Sequence, residues 1–294
     1  MTSRPDRARV FAPAKINLFL HVGEKRADGY HDLQSLVVFA DVGDILQIER
    51  GEGLSLRVEG PFASGLDGEA DNLVLHAARE LAGRAGLAPN ARIVLEKNLP
   101  VSSGIGGGSS DAAAAVRGLM ELWQPDLTAA DLHEIASRLG SDVPVCLTPR
   151  PAWMEGRGER IEPAPAIPSI AMLLINPGVA VPTGEVFSAL GARSGVGARK
   201  PERLSPADAL IGYLRTARND LEIPARAHAP IIGTVLDELS ALRGNALARM
   251  SGSGATCFGL FTDSAACDAA ARQMRIRHPG WWVASTAISA LPDQ

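Results

Sequence analysis

Residues 99–115 read LPVSSGIGGGSSDAAAA. Four glycines and four serines crowd the stretch between a proline and a run of alanines. A flexible linker would lead into polar sequence, whereas here the strand-like run ARIVLE (91–96) precedes it and the helix former DAAAAVRGLMELW follows without a break. That arrangement suits an anion. The first N–H groups of a helix have no internal partner, and the helix dipole adds positive charge there. Glycines let the backbone approach phosphate oxygens, and serine hydroxyls add donors. A Walker A loop is excluded because no lysine follows the glycines. A dinucleotide fingerprint fits poorly: Gly104 and Gly106 begin one, but Ser109 stands where its last glycine belongs. Phosphate binding and tight packing both stay open on these residues alone.

The rest of the chain narrows the setting. Its 294 residues suffice for one large domain or two ordinary ones, and a net charge of −4 disfavours a dedicated nucleic-acid binder. The longest apolar runs, such as 171–175, fall far short of the ~20 residues that span a bilayer, so no membrane partner is expected. The N-terminus lacks the apolar core of a secretory signal. Cys146, Cys257 and Cys267 are too few and scattered for a disulfide framework or zinc site. The expectation is a reduced, cytoplasmic protein.

Apolar alternation predicts one or two strands over 9–22 with Pro13 at the joint, then strands in LQSLVVFA, DILQIER and 54–60. A helix follows Asp71, read as its N-cap, with Leu73, Ala77, Leu81 and Ala85 on one face. Thr128 and Asp131 form a capping box, and Gly140 ends that helix. The Pro-, Arg- and Gly-rich stretch 147–168 reads as a boundary, giving domains 1–165 and 166–294. Beyond it come a strand at 170–177, a long polar loop near 188–206, helices near 207–217 and 230–243, and a Gly-Ser turn at 251–254 feeding a strand. A last helix and strand complete the chain. Strands and helices mix without regular alternation, which predicts an α+β fold.

Four further stretches carry chemistry. In PAKINLFLHV, Lys15 and Asn17 lie two apart and share a strand face, as a snorkelling lysine or a catalytic one would. In LGSDVPVCL, Asp142 is placed either to cap a short helix or to act as a carboxylate base. In RADGYHDLQS, Tyr30 and His31 offer stacking and a switchable hydrogen-bonding ring, and equally could decorate a hairpin. MSGSGATCFGLF could bring backbone N–H groups to a second anion or simply connect two strands.

Together these stretches resemble the GHMP small-molecule kinases. Pro100 to Ser110 looks like that family's phosphate loop, and MSGSGATCFGLF like its C-terminal glycine motif. RADGYHDLQSL, GIGGGSSDAAA, GSDVP, PGVAVPT (177–183) and RNDLE (218–222) resemble, in order, the branch acting on a cytidine-diphosphate-linked methylerythritol. The resemblance implies a ribosomal-protein-S5-domain-2-like N-terminal domain and a ferredoxin-like C-terminal domain. It implies phosphoryl transfer from ATP with Mg²⁺ to a small-molecule hydroxyl by a monomer or homodimer, without naming metal ligands.

Residue by residue, it implies that Pro100, Val101, Ser102, Ser103, Gly104, Ile105, Gly106, Gly107, Gly108, Ser109 and Ser110 wrap the phosphates. Asp142 takes the hydroxyl proton, Lys15 holds Asp142 ionised, and Asn17 orients the hydroxyl. Tyr30 and His31 hold the cytosine, with Phe187 on the opposite ring face. The alternatives are another kinase of the family, a silent nucleotide-binding relative, and a Rossmann-type oxidoreductase. Ser102 and Ser103 depart from the family, whose members usually carry Gly or Ala there.

Overall fold

The computed structural model describes residues 5–66, 72–191 and 196–288. The chain groups into two compact units, neither continuous in sequence. One comprises Met1–Ala14, Gly43–Val101 and Gly106–Pro149; the other comprises Lys15–Val42, Ser102–Ile105 and Arg150–Gln294. This grouping differs from a chain-order boundary at 165/166 because two long strands, β1 (Arg7–Lys25) and β2 (His31–Arg50), run through both units. Each was expected as shorter pieces. β1 instead continues through Pro13, and β2 joins LQSLVVFA to DILQIER without a turn.

In the first unit, β3 (Leu54–Glu59) runs parallel to β4 (Ala91–Glu96), and β4 pairs antiparallel with the second half of β2, Ile45 opposite Glu96. Among the described residues, four α-helices complete the unit: α1 (Leu73–Ala85), α2 (Gly107–Trp123), α3 (Ala129–Leu139) and α4 (Val143–Leu147). Helix α1 buries Val74, Ala77, Ala78, Leu81 and Ala82, a stripe rotated from the predicted one. Its cap is Asn72, whose side chain accepts from the Val74 N–H; Asp71 lies outside the described residues. The Thr128–Asp131 capping box and the Gly140 C-cap form as predicted. Such a cap contributes about 1 kcal/mol. In α2 the alanines 112–115 are wholly buried; small side chains let neighbouring helices approach closely.

In the second unit, the first half of β2 pairs with β5 (Ala152–Gly156), which turns back into β6 (Arg160–Pro163). The Pro-, Arg- and Gly-rich stretch thus contains a hairpin. The burial of Trp153 and Met154 outweighs the turn-forming composition around them. An antiparallel run of strands follows in the order β8 (Asn245–Met250), β9 (Cys257–Phe261), β7 (Ile170–Asn176), β10 (Trp282–Ile288), and β10 joins β2 with Ile288 opposite Ala40. Helices α8 (Ile231–Ala241) and α9 (Ser264–Arg277) pack on it over a core that includes Leu173, Val235, Leu239, Phe261 and Met274. Helix α6 (Ala207–Thr216) was expected; α5 (Thr183–Ser188) and α7 (Glu222–His228) are too short to show a 3.6-residue period and were missed. The α+β class agrees with the prediction. No helix among the described residues is long and apolar enough to cross a membrane.

Candidate active site

The glycine stretch begins earlier as helix than its composition suggests. Helix α2 starts at Gly107, capped by Gly106 in the left-handed region (φ 61°) with no side-chain cap. Ser110 N–H already donates to the Gly106 carbonyl at 2.8 Å, and Ser110 Oγ donates to the Pro13 carbonyl at 2.8 Å. Ser110 therefore spends both donors on pinning the helix. The orphan donors at this helix end are the N–H groups of Gly107, Gly108 and Ser109.

The second unit holds the preceding residues of the stretch in a different way. The carbonyls of three successive residues are each occupied: Ser103 by Thr256 N–H at 3.0 Å, Gly104 by Ser251 Oγ–H at 3.0 Å, Ile105 by Lys15 N–H at 2.9 Å. In a trans peptide the carbonyl and the next N–H point to opposite sides. Tying down these carbonyls therefore turns the Gly104 and Ile105 N–H groups outward, away from Ser251 and Thr256. Gly104 (φ +74°) sits so close to the second glycine loop that a Cβ there would lie 2.6 Å from the Ser251 carbonyl and 2.7 Å from Gly254 N and O. Ser102 also takes the left-handed region (φ 51°) and is exposed, whereas Ser103 is buried. Ser102 thus carries a backbone strain that glycine would not.

The loop at 251–254 is braced by residues whose motifs had no assigned task. Asn219, from RNDLE, donates through Nδ2 to the Met250 and Gly252 carbonyls, both at 2.8 Å. Asp220 accepts the Val22 N–H at 2.8 Å, fastening the same segment to β1. Thr183, ending PGVAVPT, hydrogen-bonds the Ser253 hydroxyl at 2.8 Å. Ser251 Oγ accepts the Asn17 N–H at 3.1 Å while donating to Gly104, so one buried hydroxyl links β1 to the first glycine stretch.

Lys15 and Asn17 share a face of β1 and are 3% and 2% exposed, which excludes a snorkelling surface lysine. Asn17 Nδ2 donates to Ser35 Oγ at 2.8 Å, and Ser35 passes its own proton to the Phe19 carbonyl at 2.6 Å. Asn17 Oδ1 is buried and has no partner among the described residues. An unfilled buried acceptor costs about 1–3 kcal/mol, so it suits a ligand that brings a donor. In the first unit, Asp142 occupies the N-cap position of α4, but its side chain makes no cap hydrogen bond. The capping reading of Asp142 therefore loses its physical basis.

The two aromatic candidates divide. His31 donates from Nδ1 to the Gly23 carbonyl at 3.0 Å, because a carbonyl can only accept; the neutral ring then presents Nε2 as an acceptor. Its centroid lies 5.7 Å from that of Phe187, at 37°. Tyr30 is 53% exposed, with the Arg157 guanidinium 5.3 Å from its ring centroid.

A buried cluster escaped the sequence reading. Lys97 Nζ donates to Asp44 Oδ2 at 2.5 Å and to Asp111 Oδ2 at 2.7 Å, and all three residues are buried. Asp44 Oδ1 accepts from the Asn98 and Leu99 N–H groups at 2.6 and 2.8 Å. The cluster thus grips the chain just before Pro100 and again at Asp111 in α2. Burial, helped by the Asp44 charge and opposed by Lys97, pushes the Asp111 carboxyl up to about 8. Burial alone would depress Lys97, but its neighbours Asp111 and Asp44 outweigh it and push its pKa up.

The sign of the linkage follows. Between about pH 4 and 8 the folded chain keeps a proton on Asp111 that the unfolded chain releases, so this group removes stability as pH rises. Asp111→Asn is expected to be more thermostable than the parent by a margin that widens from pH 5 to pH 8. A constant or shrinking margin in thermal melts would contradict a protonated Asp111.

Two glycine turns braced against each other in the second unit, and a helix N-terminus with open N–H groups in the first, are each suited to binding an anion. The model of the GHMP kinases N terminal domain matches residues 72–149, and that of the GHMP kinases C terminal domain matches 202–280. The chain belongs to the GHMP kinase family. It is 50% identical over 279 residues to the 4-diphosphocytidyl-2-C-methyl-D-erythritol kinase of Rhodospirillum rubrum, covering 94% of this chain and 91% of that one. The enzyme of that name from Cereibacter sphaeroides is 53% identical over 277 residues, with 93% and 96% covered. A crystal structure of 4-(cytidine 5'-diphospho)-2C-methyl-D-erythritol kinase superposes with a TM-score of 0.77 at 33% identity, covering 96% of this chain and all of that one. A homoserine kinase from Cytophaga hutchinsonii shares the fold, with a TM-score of 0.69 at 18% identity over 99% of this chain and 96% of that one.

Proposed function

We infer that this chain transfers the γ-phosphoryl group of ATP to the 2-hydroxyl of 4-diphosphocytidyl-2-C-methyl-D-erythritol, a step toward isoprenoid precursors. The observation that carries the reading is identity of 50–53% to kinases of that name over nearly the full length of both chains. Phosphoryl transfer needs positioning and charge stabilisation more than covalent chemistry from the protein. The open N–H groups of Gly104, Ile105, Gly107, Gly108 and Ser109 suit the ATP phosphates, and the rest of Pro100–Ser110 shapes that stretch. Asp142 would accept the hydroxyl proton, and Lys15 would offset the negative charge that develops on the transferring group. Asn17, with its unfilled Oδ1, would accept a hydrogen bond from the substrate and orient it.

A Mg²⁺ ion would neutralise phosphate charge. Cytosine would lie between the aromatic groups: His31 Nε2 accepts from its exocyclic amine, while Phe187 and Tyr30 supply ring faces. The three cysteines are free and buried, which suits a reducing cytoplasm.

The test is ADP release with the cytidyl substrate, using homoserine and mevalonate as controls. Turnover with the first alone is expected; preference for either control would assign a different kinase of the family. Tyr30→Ala is expected to raise KM for the cytidyl substrate by about tenfold, the scale of one base–aromatic stack, with KM for ATP unmoved. An unchanged KM for the cytidyl substrate would remove Tyr30 from the base site.

A further inference from the structure

We propose that Arg157 is a specificity-determining residue that binds the diphosphate of the cytidyl substrate; the proposal rests on the function inferred above and deepens it. The substrate carries two phosphates between base and sugar alcohol, and their charge needs a cation close to the base-holding residues. β2 and β5 pair antiparallel with Leu33 opposite Gly156. The residue after Gly156 therefore emerges beside Asp32, two positions from Tyr30.

The turn is built to present that residue. Gly156 (φ +70°) and Gly158 (φ +116°) flank Arg157 in left-handed conformations. The Glu159 carboxylate folds back over Gly156, where a Cβ would meet it at 2.5 Å, and accepts the Arg157 backbone N–H at 2.6 Å. Glu159 thus spends an oxygen on the backbone of Arg157, and the guanidinium rests over the Tyr30 ring at 5.3 Å.

Charge accounting singles out this side chain. Arg26 is engaged by Asp28 and Asp32, at 3.5 and 2.9 Å, and Arg160 by Glu155 at 3.7 Å. Arg157 has no carboxylate at ion-pair distance among the described residues, and its guanidinium is held only by an aromatic face. A cation–π contact at a part-exposed site is worth about 0.5–1 kcal/mol. A charge-assisted, bidentate bond to phosphate is stronger, so the guanidinium would move from ring to diphosphate when substrate arrives.

The test is calorimetric titration of the parent, Arg157→Ala and Arg157→Lys with cytidine and with cytidine diphosphate, the ATP site being filled by a non-hydrolysable analogue. Arg157→Ala is expected to weaken cytidine diphosphate by about tenfold and to leave cytidine within about twofold. Arg157→Lys, keeping the charge without the fork, is expected to recover part of the loss. Equal weakening of both compounds would mean that Arg157 merely supports Tyr30, and would overturn the proposal. No change for either compound would overturn it as well. Failure of the parent protein to bind either compound would overturn the cytidine reading itself, and is distinguishable because no variant is involved.

Discussion

Asp142→Asn is expected to lower kcat by about 10²-fold or more while leaving ATP affinity close to that of the parent. The amide matches the carboxylate in size but cannot take a proton at neutral pH. The Asp142 side chain makes no cap hydrogen bond on α4, so the usual ~1 kcal/mol of an N-cap does not confound the comparison. Burst and steady-state kinetics, together with nucleotide titration, separate the steps. A variant with near-normal turnover would remove Asp142 from its role as base. A variant that loses ATP binding instead would make it a nucleotide ligand.

Gly104→Ala carries the second large effect. At φ +74° an alanine is strained by roughly 1–2 kcal/mol. The larger cost is steric, because the new methyl would meet the backbone of Ser251 and Gly254 at 2.6–2.7 Å, and backbone cannot rotate aside as a side chain can. One of the two glycine stretches must shift, and with it the carbonyl ties at Ser103, Gly104 and Ile105 that turn the open N–H groups outward. A displacement of about 1 Å at a phosphate-holding backbone can cost ~10²-fold in rate. The expected outcome is a fall of that order in kcat/KM for ATP, with a melting temperature several degrees lower. Kinetics within about threefold of the parent would show that the braced conformation is not needed for catalysis.

Much of the local structure was legible from the residues. The Thr128–Asp131 box and Gly140 mark the ends of α3 because capping is settled within four or five residues. Helix α2 was legible for the same reason, although these residues alone left phosphate binding and tight packing both open. The features that the residues did not show share a different cause. The Pro- and Gly-rich stretch after residue 147 became a hairpin because β2 supplies an edge and Trp153 a buried anchor, neither of which lies within the stretch. Asp142 looked like a cap from its position, and only its side-chain geometry separates the position from the bond.

What the sequence determined by itself was the identity and order of the parts: the strand carrying Lys15 and Asn17, the glycine turns, the tyrosine–histidine pair and the family they belong to. Those features are local and bind each residue mainly to its near neighbours in the chain. Only the tertiary structure decided how the parts are held. Ser251 reaches Asn17 and Gly104 across 234 and 147 residues, and Asn219 braces the second glycine loop from 31 and 33 residues away. Asp111 is an unremarkable acidic residue in the sequence; burial beside Asp44 and Lys97 makes it a neutral one. Hydrogen bonding, burial and charge depend on what stands within a few ångströms, and that set of neighbours comes into being only when the chain folds.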